Sequence, residues 1–69
     1  MRLWSFYDKQ FLVFNEDTIS TERFAEIFNC SCDDVTYEYE DLFYSGEYYD
    51  FQRLKLQAWR REELQYDEN

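Results

Sequence analysis

Seven Phe, seven Tyr and two Trp in a chain of 69 residues set the terms on which it can fold. A chain this short encloses only roughly 60% of its unfolded surface, so its core is thin. Small domains usually make up the deficit with disulfides, a metal or very apolar packing. Each aromatic ring buries about 150–250 Å² when enclosed, enough for such a set to close a core without a staple. It is also more ring surface than one small core hides, so some rings are expected outside, where tyrosine favours contact with partners. The length allows one domain, residues 1–69. Disorder fits badly with 23% aromatics, no proline and one glycine.

The charge is lopsided. Sixteen carboxylates face seven Lys and Arg, a formal net charge of −9 with no histidine. Such an excess keeps a small domain soluble, and it is also a surface that a basic partner can read. Direct nucleic-acid binding is disfavoured, because phosphates are met by Lys and Arg clusters, and Arg60-Arg61 is the one such pair. The opening run Met1–Lys9 has no apolar signal region, and no stretch approaches the roughly 20 apolar residues of a membrane span. A cytoplasmic location is the expectation, with Cys30 and Cys32 as reduced thiols.

Along the chain, Arg2–Tyr7 and Gln10–Phe14 suggest a β-hairpin turning at Asp8-Lys9. Alternation leaves its register unclear, since Leu3 and Phe6 fall on opposite faces. A helix is expected from Ser20 or Thr21, with Phe24, Ile27 and Phe28 at helical spacing and Asn29 as its C-cap. Asp33 and Asp34 look like the next N-cap. Val35, Tyr39, Leu42 and Phe43 share one helical face, leaving Asp33, Tyr37, Glu40, Asp41 and Tyr44 opposite. The alternating Tyr37-Glu38-Tyr39-Glu40 also permits a second hairpin over 36–56. Ser45-Gly46 ends the helix, and another begins near Glu47 or Asp50, with Phe51, Leu54 and Ala58 on one side, broadened by Leu56 and Trp59. The tail 67–69 is expected to fray. The expected class is α+β: a short N-terminal hairpin followed by two or three helices.

Catalysis has little to work with. Without histidine there is no Ser-His or Cys-His nucleophile and no common general base. Cys30 and Cys32 lack further Cys or His to complete a tetrahedral metal site. Glu38-Tyr39-Glu40-Asp41 has no turn glycine for a calcium loop, and a glycosidase needs two carboxyls across a cleft that so small a chain does not provide. No enzyme activity, metal or other cofactor is expected.

The distinctive constellation is acidic and aromatic. From Phe24 to Gln52 there are eight acids and no Lys or Arg, interleaved with tyrosines. The candidate partner-binding residues are Asp33, Asp34, Tyr37, Glu38, Glu40, Asp41, Tyr44, Glu47, Tyr48 and Asp50. A solvated face is the plain reading, although such faces usually mix both signs. Carboxylates spaced along a rigid helix can instead take the positions of backbone phosphates and engage a basic groove.

In size, charge, aromatic content and lack of catalytic residues, the chain resembles small phage-encoded inhibitors that mimic DNA, of the anti-restriction, anti-CRISPR and uracil-DNA glycosylase inhibitor kinds. That resemblance implies a non-catalytic protein occupying the nucleic-acid groove of a host or defence enzyme. A second likeness lies in Arg2–Tyr37. Thr21-Glu22-Arg23-Phe24-Ala25-Glu26-Ile27-Phe28-Asn29-Cys30-Ser31 followed by Asp34-Val35 looks like the opening of a helix-turn-helix unit. Asn29 stands where such units often have glycine, and the following helix is acidic where a DNA reader is basic. The other function class is a protein–protein adaptor or homodimer with an aromatic interface.

Overall fold

The computed structural model describes residues 3–67, with side chains as far as Arg60, and every regular element among them is helical. The order is α1 (Phe6–Phe14), α2 (Thr21–Phe28), α3 (Cys32–Ser45) and α4 (Glu47–Asp67). The α+β expectation is therefore wrong, as are both hairpins, at 2–14 and at 36–56: the described residues contain no strand. Arg2 and the tail 68–69 lie outside the described residues.

The N-terminal error has a local cause. Ser5 caps α1 by accepting from the Asp8 N–H at 3.1 Å, and the Asp8 carboxylate accepts the Ser5 N–H at 3.1 Å. This reciprocal capping box satisfies two backbone donors at once and starts a helix where a turn was expected. Asp8-Lys9 lies inside α1. Leu12 and Val13 are adjacent and both fully buried. A strand would point them to opposite faces. On a helix they diverge by about 100° and enter two neighbouring apolar clusters.

The first cluster joins Leu12 to Phe24, Ala25 and Val35, edged by Trp4, Ile19, Phe28, Cys30 and Tyr39. In the second, Val13 meets Leu42 and Phe51, edged by Tyr39 and Tyr48. α1 and α3 each give a buried residue to both clusters, and Tyr39 of α3 borders both. Its hydroxyl donates to the Leu12 carbonyl at 2.8 Å. Leu12 lies in the last turn of α1, where carbonyls lack intrahelical donors.

The other junctions follow the caps. Ser20 caps α2 and accepts the Arg23 N–H. Asn29 ends it in the left-handed region at φ 55°, and the Cys30 N–H reaches back to the Ala25 carbonyl at 2.9 Å. Asparagine is, after glycine, the residue that tolerates this conformation. Ser31, not Asp33 or Asp34, is the N-cap of α3; Asp34 is its capping-box partner. Gly46 closes α3 at φ 83°, a conformation that costs any residue with a Cβ.

α4 is the longest element, with 21 residues against nine in α1 and 14 in α3. At 1.5 Å per residue it runs about 31 Å, and α1 about 13 Å. α1 and α3 therefore cover the first half of α4. The molecule is elongated, 46 × 24 × 17 Å.

Candidate functional site

α3 turns two unlike faces outward and inward. Val35, Glu38 and Leu42 are buried and Tyr39 is half-buried. Asp33, Tyr37, Glu40, Asp41 and Tyr44 are exposed, the set that helical spacing places opposite the core. Tyr44 is 90% exposed and Tyr37 59%. The stripe from Asp33 to Tyr44 is about 16 Å long, and its outer carboxylates, Asp33 and Glu40, stand about 10 Å apart along the axis. Among the described residues, Asp33, Glu40 and Asp41 form no ion pair.

Four of the other five candidates are engaged within the chain. Glu47 pairs with Lys9 of α1 at 3.2 Å. The Tyr48 hydroxyl donates to Glu16 Oε1 at 2.6 Å, Gln52 Nε2 donates to the same oxygen at 2.8 Å, and the Tyr48 ring packs on Phe43 with centroids 4.3 Å apart. Burial, and then the hydrogen bond to Glu16, raises the Tyr48 pKa. Asp50 pairs with Arg53 one turn on. Asp34 caps α3. These four tie helices to one another or to their own ends. Sequence reasoning placed them with the outer stripe because an unbroken run of acids does not reveal that Glu47 meets a distant Lys9 or Tyr48 a distant Glu16.

Glu38 departs furthest from expectation. It is 7% exposed and lies in the inner stripe of α3. Burial raises its pKa; Lys9 opposes the rise, and Asp41 and Glu47 add to it. It lines a crevice of about 210 Å³ between Leu3, Trp4 and Lys9 on one side and Asp34, Tyr37 and Asp41 on the other. The signal was present in the spacing: 35, 38, 39 and 42 form one helical face as well as 35, 39, 42 and 43 do.

The second half of α4 was also misread. Leu54 and Ala58, expected inward, are exposed, as are Leu56 and Trp59, the last at 62%. Leu56, Ala58 and Trp59 edge a groove of about 460 Å³ with Phe14, Asp17 and Lys55. Helical periodicity located an apolar side, but α1 is too short to cover it.

Cys30 and Cys32 are not joined by a disulfide. Among the described residues no group of three or more Cys, Asp or Glu is placed to hold a metal ion, and no helix is long and apolar enough to cross a membrane. Compared with family models, curated proteins and solved structures, the chain matches none.

Proposed function

We propose that this is a non-catalytic binding protein whose outer α3 face docks on a basic protein surface, in the manner of an inhibitor occupying the nucleic-acid groove of a host or defence enzyme. The observation that carries the reading is the stripe Asp33-Tyr37-Glu40-Asp41-Tyr44. It is exposed, held on a helix anchored in both apolar clusters, and without an internal cation. Carboxylates fixed this way present charge at small entropic cost, and complementary fields steer encounter with a cationic groove. Two exposed tyrosines add rigid contact area between them.

The test is capture of a partner on the immobilised protein, followed by elution with salt and, separately, with duplex DNA. Release by both is the expected result. Reversal of Asp33, Glu40 and Asp41 together to lysine should weaken the interaction at least about a hundredfold. Unchanged binding after reversal overturns the reading.

A second reading, an adaptor or homodimer, is favoured by the exposed Leu54, Leu56 and Trp59 on α4. Apolar groups in that density mark interaction surfaces. A stable dimer by light scattering, weakened by Trp59→Ala and untouched by reversals on α3, supports that reading instead.

A further inference from the structure

The crevice between the N-terminal segment and α3 has chemistry of its own. Asp34, Glu38 and Asp41 follow one another at i, i+4 and i+7, one stripe of a helix, at heights about 6 and 4.5 Å apart. All three line the crevice. A row of carboxylates alone signifies little. Glu38 supplies the independent observation: its side chain is more than nine-tenths enclosed, yet no ion pair or hydrogen bond joins it to a described residue. Buried carboxyl groups are ordinarily paired or hydrogen-bonded. Lys9 borders the same space, but its ammonium is held 3.2 Å from Glu47.

The geometry selects among cations. The carboxylates do not converge on a point, and no described group of acids is placed to hold a metal ion. An extended planar cation suits carboxylates at two heights better than a point charge does. Two aromatic rings, Trp4 and Tyr37, line the same space, and guanidinium planes stack on such rings. At about 210 Å³ the crevice is below the roughly 300–1,000 Å³ of sites for drug-sized ligands. It has room for the end of one side chain.

We propose that this crevice receives the guanidinium group of one arginine side chain from a protein partner, bridging Glu38 and Asp41 with Tyr37 alongside. Tyr37 and Asp41 belong to both the crevice and the outer stripe, so an arginine seated here would fix the register of a partner docked on α3. The proposal rests on the docking reading for the source of the arginine and on the crevice for its recognition.

The test is an NMR titration of the intact protein with N-acetyl-arginine methylamide at constant ionic strength. Saturable shifts centred on Glu38, Tyr37 and Asp41 are expected, half-saturating on the order of 1–10 mM. The lysine analogue should bind at least about threefold more weakly. Glu38→Gln should weaken arginine binding about tenfold, whereas Glu22→Gln, the same charge change on exposed α2, should leave it within about twofold. Shifts that do not saturate by about 50 mM, or equal binding by Glu38→Gln, overturn the proposal. Should Glu38→Gln fail to fold, the Glu38 carboxyl is titrated in the unmodified protein instead. Its midpoint must fall when the arginine probe is present, and an unmoved midpoint overturns the site. Arginine binding that persists when reversals on Asp33 and Glu40 leave partner capture unchanged sinks the docking reading and keeps the crevice. The converse pattern sinks the crevice alone.

Discussion

On the inner side of α3, Tyr39 gives its hydroxyl proton to the Leu12 carbonyl and borders both apolar clusters. Five residues later, on the outer side, Tyr44 is 90% exposed. The carboxylates divide in the same way. Glu38 is enclosed and its pKa is raised by burial, while Glu40, two positions on, lies in water. One helix thus uses the same two residue types to close the fold and to present a surface. The difference comes from angular position: about 100° per residue separates the two environments within a single turn. The sharpest way to break the comparison is to alter one face and find the effect of the other.

The largest effect belongs to the inner face. Leu42 is fully buried between Val13 and Phe51, and Leu42→Ala should cost about 2–5 kcal/mol. Small domains have only about 5–15 kcal/mol in total, so urea denaturation should show a severely weakened or unfolded protein. Tyr39→Phe comes next. It removes the donor to the Leu12 carbonyl without emptying the ring site, and a loss of about 1–2 kcal/mol is expected. Tyr44→Phe, the matching change outside, should move the same curve by less than about 0.5 kcal/mol. Equal effects at Tyr39 and Tyr44 would show that the inner tyrosine is not a fastening.

The outer face was legible in the residue spacing, as were Val35, Tyr39 and Leu42 on the inner one; Phe43, expected inward, is exposed, and Glu38 is buried there instead. The caps at Ser20, Asn29 and Gly46 were legible too, each being a residue type whose side chain or backbone freedom suits a helix end. The N-terminal segment was not. Its aromatic residues favour strands as a class, and that preference outweighed the failure of Leu3 and Phe6 to alternate, which was the better signal. Ser5-x-x-Asp8 was a helix start in plain view. What no local pattern contains is which partners meet across the fold. Lys9 with Glu47, and Glu16 with Tyr48 and Gln52, are separated by 38, 32 and 36 residues. Of the five candidates off the outer stripe, Glu47 and Tyr48 were lost to contacts of that kind, Asp34 to capping, Asp50 to a local pair with Arg53 and Glu38 to burial.

Glu38 offers a way to sharpen the comparison through pH. Its folded pKa is raised above the ordinary 4.5, first by burial, so the folded state holds this proton more tightly than the unfolded chain does. In the window from about 4.5 up to the folded pKa, the folded state binds more protons, and stability must fall as pH rises. The contribution is fully present below the unfolded value and lost above the folded one. Glu38→Gln removes that dependence. Relative to the unmodified protein, it should gain stability at pH 7 compared with pH 4 in matched thermal melts.

The smallest effect is expected where the sequence is most unusual. Glu40→Lys changes the net charge from −9 to −7 on the exposed, unpaired side of α3. Surface substitutions of this kind move stability by about 0.5 kcal/mol at most, and relief of self-repulsion gives this one an upward sign. The gain should shrink as salt rises, because the Debye length falls from about 30 Å at 0.01 M to about 10 Å at 0.1 M. Thermal melts at those two ionic strengths measure it. A loss beyond about 1 kcal/mol would mean that Glu40 helps hold the fold, and the outer stripe would then be no freer than the inner one. A small, salt-screened gain means instead that the folded state has no need of this carboxylate. Under the docking proposal, the large effect of the same substitution belongs in a binding measurement.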